Sequence, residues 1–209
     1  MSIEETKPAA HGRAPRKRKF FIVDASTASR ASGFELTNGA NLFTRGPPIL
    51  CPPDGRRGFR DYPELPVFVA DPKRGRLHWD LEVYSGYWFV SEQMKSVLQT
   101  VDPGAFTFLQ CDVQSPDGRP QPVRWLCDVV RVLDALDEGQ SETTNRVADD
   151  GSKYYSGVTI SKLVFRESVV GNSHVFRLKF FDAVVMCDQD LRAACKAAGL
   201  KGISFRPTE

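Results

Sequence analysis

The side chains of this chain that could do chemistry are few and stand far apart. None of its three histidines, His11, His78 and His174, has a cysteine, histidine or carboxylate at ligand spacing in a suitable turn, so the sequence predicts no metal site and no cofactor. Asp188-Gln189-Asp190 has a D-x-D spacing able to hold a divalent cation, yet both acids open a helical pattern, where capping and the helix dipole account for them. Tyr-Ser-Gly occurs at Tyr84-Ser85-Gly86 and again at Tyr155-Ser156-Gly157, with no base near either serine in sequence. His78 or His174 would become a general base beside Asp134, Asp137 and Glu138 only if the fold brought them together. There is no G-x-S-x-G elbow, no phosphate-binding glycine loop and no H-E-x-x-H helix, and the chain is expected not to be an enzyme. The cysteines Cys51, Cys111, Cys127, Cys187 and Cys195 form no C-x-x-C pair, and four of them fall inside apolar patterns, as small core residues of a reducing compartment do.

The elements that must carry these groups are clearest at the C-terminus. Val184-Val185-Met186-Cys187 reads as a strand, Asp188 as an N-cap, Leu191, Ala194, Cys195 and Ala198 as one helix face, Gly199 as a stop, and Gly202-Ile203-Ser204-Phe205 as a second strand. A gapless slide of 97 residues lays Trp88-Phe89-Val90 on Val185-Met186-Cys187, Ser91 on Asp188, Met94 on Leu191, Leu98 on Cys195 and Phe108 on Phe205. The chain therefore holds two strand-helix-strand units, with helices from Ser91 to Val101 and from Asp188 to Gly199, compatible with a pseudo-symmetric core. Around them, strands are expected at 19–23, 34–36, 67–69, 105–113, 123–133, 154–165 and 174–181, with a loop from Leu136 to Ser152. Arg177 and Lys179 are expected on the open face of the 174–181 strand. The fold class is α+β, a mixed, mostly antiparallel sheet with two main helices.

Composition limits the partners. At 41% hydrophobic residues the chain can bury a substantial core, and it is expected to form a single domain over 19–209. The net charge is +2, but six basic residues against two acidic ones give Met1 to Lys19 a local +4, leaving −2 for the rest. A body without a positive excess is not built to neutralise phosphates, so nucleic acid is not the expected ligand. Residues 1–18 read as a disordered basic arm, and Phe20-Phe21-Ile22-Val23 is too short for a secretory core or a membrane span. A soluble cytoplasmic protein without membrane contact is expected.

The segment 45–66 carries six prolines, which remove backbone donors and exclude helix interior and central strand, so it is a long loop, basic at Arg56, Arg57 and Arg60. Trp79, Tyr84 and Tyr87 follow it in an aromatic-rich stretch. Amphipathic aromatics and arginines are the anchors of protein interfaces, and these six residues are the candidate partner-binding set.

The second half runs from Leu133-Asp134-Ala135-Leu136-Asp137, with Ser141 beyond, through Leu163-Val164-Phe165 and Val175-Phe176-Arg177 to the closing Asp188, Leu191 and Leu200-Lys201-Gly202-Ile203-Ser204-Phe205. In this pattern, over about Val67 to Pro207, the chain resembles an immunity-protein family of bacterial polymorphic toxin systems, formerly known only as a domain of unknown function. Cys187 departs from the Ser or Asp expected at the mouth of the last helix, and Asp188 caps in its place. The resemblance implies a cytoplasmic immunity protein that binds and neutralises a cognate toxin, encoded next to it, by protein–protein contact without catalysis. A homodimer is compatible with the sequence. A carbohydrate-binding or other ligand-binding module, and an enzyme with an unfamiliar site, stay open as alternatives.

Overall fold

The computed structural model describes residues 18–26, 33–42, 57–73, 75, 79–158 and 162–209; the basic arm before Arg18 and the proline-rich loop up to Arg56 lie outside them. In chain order the strands are β1 (Phe20–Ala25), β2 (Phe34–Leu36), β3 (Val67–Ala70), β4 (Leu81–Tyr84), β5 (Tyr87–Ser91), β6 (Phe106–Gln114), β7 (Arg124–Val129), β8 (Val132–Leu133), β9 (Thr144–Val147), β10 (Lys153–Ser156), β11 (Val175–Leu178), β12 (Phe181–Asp188) and β13 (Ile203–Pro207). The helices are α1 (Gly39–Leu42), α2 (Glu92–Val101), α3 (Glu167–Val170) and α4 (Gln189–Ala197). Five strands form one sheet in the order β13-β1-β12-β11-β8, six form another in the order β2-β3-β6-β7-β5-β4, and β9 pairs with β10. Pairing is antiparallel except between β3 and β6 and between β8 and β11, which gives the mixed α+β architecture expected.

The two main helices stand where the sequence places them, for the reasons it gives. Ser91 Oγ accepts the Met94 N–H at 3.1 Å and caps α2. Asp188 Oδ1 accepts the N–H groups of Asp190 and Leu191 at 3.0 and 3.2 Å and caps α4. Met94 and Leu98 from α2, and Leu191 and Cys195 from α4, enter the same buried cluster as Phe21, Val23, Trp88, Val90, Val129, Val175 and Val185. That cluster joins the two sheets, and the helices pack side by side with Gln93 Nε2 donating to Ala198 O at 2.8 Å.

The registers around the helices agree in detail. Trp88 and Phe108 both lie opposite Cys127 of β7, and Val185 and Phe205 both lie opposite Val23 of β1. In each case one antiparallel strand separates the two strands that a helix connects. Ser91 N donates to Asp80 O at 3.1 Å, and Asp188 N donates to His174 O at 3.1 Å.

Several expectations fail, each for a local reason. The apolar run 123–133 is not one strand: it serves as β7 inside the six-stranded sheet, breaks at Val130, whose N–H goes to Ala105 O at 2.8 Å, and resumes as β8 in the other sheet. The run 174–181 is a hairpin, with β11 turning into β12 between Leu178 and Phe181, and Arg177 is buried because both faces of this sheet are covered. Of the expected 162–165 strand the described part makes only a bridge from Phe165 to Leu136. The expected loop after Leu136 contains β9, whose four residues are all exposed and so show no alternating pattern to read.

Candidate functional site

The densest cluster of chemistry-capable groups lies at the mouth of α4. The Asp188 carboxylate is fully buried; beyond the two cap bonds on Oδ1, its Oδ2 takes Arg18 Nε at 2.9 Å, Arg18 Nη2 at 2.6 Å and the ring Nδ1 of His174 at 2.8 Å. Asp190 Oδ2 stands 3.8 Å from the same His174 nitrogen. Ligand atoms of His174, Asp188 and Asp190 lie within 4.8 Å of one another, so a cation could bridge them in distance. The donors already present decide against it: both Asp188 oxygens are engaged, and an incoming cation would have to displace the Arg18 guanidinium. Arg18 also donates to Gly171 O and Ser173 O at 2.7 and 2.5 Å, a fork that binds the start of the described chain to this corner.

A second charged centre sits where the sheets meet. Asp128 on β7 is fully buried and accepts from Arg57, from Arg177 Nη2 at 3.4 Å and from the Gly58 N–H at 2.7 Å. Arg177 completes its fork on Val129 O and Asp182 O at 3.0 and 2.5 Å; burial first, and then the neighbouring Arg57, lower its pKa. This arrangement satisfies buried charge and leaves no group poised to transfer a proton.

The cysteines hold no nucleophile among the described residues. Burial pushes Cys111 and Cys195 up to about 12 and raises Cys127 and Cys187 well above the ordinary thiol, so all four are protonated at neutral pH. They are the core residues the sequence predicts.

The five described residues of the predicted contact set, Arg57, Arg60, Trp79, Tyr84 and Tyr87, do not converge. Tyr87 is 1% exposed, with its hydroxyl donating to Gly58 O at 3.2 Å and its ring on Phe59 at 4.8 Å. Arg57 belongs to the Asp128 centre. Tyr84 is half-buried, edge-on to Phe68 at 4.9 Å, and burial followed by the nearby Glu35 raises its pKa. Trp79 stands just before the other end of β4, where its carbonyl accepts from Arg124 Nη1 at 2.5 Å and its Cβ abuts Gly202. Arg60 is half-buried, and Arg56 lies outside the described residues, as does His78. The described part of the proline-rich loop therefore packs Phe59 and Tyr62 on the outer face of the six-stranded sheet and is held by Arg57 and Gly58.

A surface that sequence reasoning missed lies on the opposite face of that sheet. The register sets Val67 opposite Asp112 and Trp125 opposite Gln110, and Val123, one residue before β7, lines the same groove as Val67 and Asp112. Lys95 of α2 covers Trp125, with its Nζ 3.2 Å from the ring centroid, while the indole N–H donates to Glu92. Beyond Trp125 the helix ends its cover, and Leu65 (46% exposed) and Val123 (43%) border a groove of about 330 Å³ with Glu64 and Asp112 at its margin. The sequence signal was the alternation of Val123 and Trp125 with Arg124, hidden because the run reads as apolar on both faces.

No described helix is long and apolar enough to cross a membrane. Compared with known proteins, residues 19–209 match the model of an immunity protein family, Imm11. No curated protein matches the chain.

Proposed function

The chain belongs to the Imm11 immunity protein family, and from that premise we propose that it binds a cognate bacterial toxin in the cytoplasm of the producing cell and neutralises it by occupying its surface, without catalysis. The family match over nearly the whole described body carries this reading. Supporting it, the principal charged centres and thiols among the described residues are engaged internally: Asp188 by the α4 cap, Arg18 and His174, Asp128 by two arginines, and the four described thiols by burial. The test is co-expression with the product of the adjacent reading frame, scoring growth rescue and co-purification together. Rescue with a stable complex is expected; toxicity that this chain does not relieve would refute the reading. Trp79 and Tyr84 are candidate toxin contacts, and alanine at both that left folding and toxin affinity unchanged would exclude them from the interface.

The two strand-helix-strand units are, in this reading, copies of one ancestral unit. What supports this is the register, where Cys127 lies between Trp88 and Phe108 as Val23 lies between Val185 and Phe205. The pair Asp80–Ser91 ahead of α2 then answers to His174–Asp188 ahead of α4, acid and partner exchanged.

A further inference from the structure

We propose that the end of the β3–β6–β7 face left exposed by the described residues is the toxin-docking surface and that its occupant is an apolar toxin segment bearing lysine or arginine; this rests on the immunity reading above. The apolar part is built by Leu65, Val67 and Val123, continuous with Trp125 at the edge of α2. Two of the large apolar side chains most exposed among the described residues, Leu65 and Val123, thus meet in one groove, on a rigid sheet whose register is fixed on both sides. Charge selects the partner. Glu64 and Asp112 border the groove, and none of the described basic residues lines it. Their described contacts are neutral amides, Asn38 Nδ2 to Glu64 at 2.9 Å and Gln114 Nε2 to Asp112 at 2.7 Å, so among the described residues neither carboxylate is paired with a cation. A cation brought in on an apolar segment would find two oriented carboxylates at the rim of a surface it desolvates. Among the described residues, the exposed Arg119 is held by Asp117 at 2.9 Å and Lys95 is held over Trp125, so each of these cations has a partner other than the two groove carboxylates.

The experiment measures Kd and association rate of the purified adjacent-frame product for the full chain and for Val123→Arg, Asp112→Lys and Asp112→Asn, with Gln99→Arg on exposed α2 surface as control. Val123→Arg and Asp112→Lys are expected to raise Kd by about tenfold or more, Asp112→Asn by less, and Gln99→Arg not at all, with melting curves unchanged because the altered side chains are exposed. Added salt is expected to slow association of the unaltered chain, a readout that needs no variant to fold. Groove variants that bind as tightly as the unaltered chain, or a salt-independent association rate, would overturn the proposal while leaving the immunity reading intact. An unaltered chain that does not bind the toxin at all would overturn both. If light scattering of the chain alone gave a dimer that Val123→Arg dissociated, the occupant would be a second copy, and the toxin assignment of this face would fall.

Discussion

Among single residues, Glu138 shows how far hydrogen bonding can move a group that an enzyme would otherwise use. Bonds from Lys153 first, then Tyr155 at 2.8 Å and Asn145 at 2.6 Å, lower its carboxyl from an ordinary 4.5 to about 2. A carboxyl with a depressed folded pKa favours the folded state above the unfolded value and loses that contribution as protons bind the folded form. The window therefore runs downward from about pH 4.5 to about pH 2. Glu138→Gln is expected to flatten the fall in stability across that window, read by urea unfolding at a series of pH values; an unchanged slope would show that the bonds are not kept in solution. The same residue marks what sequence could not supply. Asp134, Asp137 and Glu138 read as a potential acid–base cluster, but the partners of Glu138 come from β9 and β10, and β9 has no apolar alternation to announce it. The burial of Tyr87 is hidden from the sequence for a related reason: a tyrosine on a strand looks the same whether its hydroxyl meets water or, as here, a loop carbonyl.

At the scale of elements, the two strand-helix-strand units were legible because several local signals agreed: capping residue, helical face spacing and terminal glycine all pointed to the same boundaries. The strand run 123–133 was not, since hydrophobicity alone cannot tell one long strand from two that enter different sheets. The proposed equivalence of Asp80–Ser91 and His174–Asp188 gives a test. Ser91→Asp sets two carboxylates against each other where Ser91 Oγ now donates to Asp80 at 2.7 Å, and is expected to cost about 1–3 kcal/mol. Adding Asp80→His rebuilds the second unit's pair and should recover about 1 kcal/mol of that in a double-mutant cycle by chemical denaturation. Additive losses would argue that the two caps are not interchangeable.

For the molecule as a whole, the joint between the sheets holds the candidate surfaces in place. Gly202 is central to it: its carbonyl accepts Ser26 N–H at 2.8 Å, its φ is +82°, and a Cβ there would lie 2.9 Å from both Leu81 O and Trp79 Cβ. Gly202→Ala is expected to cost about 2 kcal/mol or more, lowering the thermal midpoint by about 4 °C or more. Gly118→Ala, with φ +81° but nothing within 4 Å, isolates the conformational share and should cost less. Equal shifts in the two variants would show that the close approach of Trp79 and Leu81 does not constrain the joint. The sequence marked Gly202 only as the start of a strand, because the crowding comes from residues more than a hundred positions away.

The central claim is neutralisation by occupancy, and stoichiometry tests it most directly. Toxin activity would be titrated with increasing amounts of the purified full chain at a toxin concentration far above Kd. Occupancy predicts a linear fall ending at one equivalent of this chain per toxin, with activity returning when the complex is dissociated. Complete inactivation by a small fraction of an equivalent, growing with time and persisting after separation, would mean that the chain alters the toxin chemically, and would contradict the account.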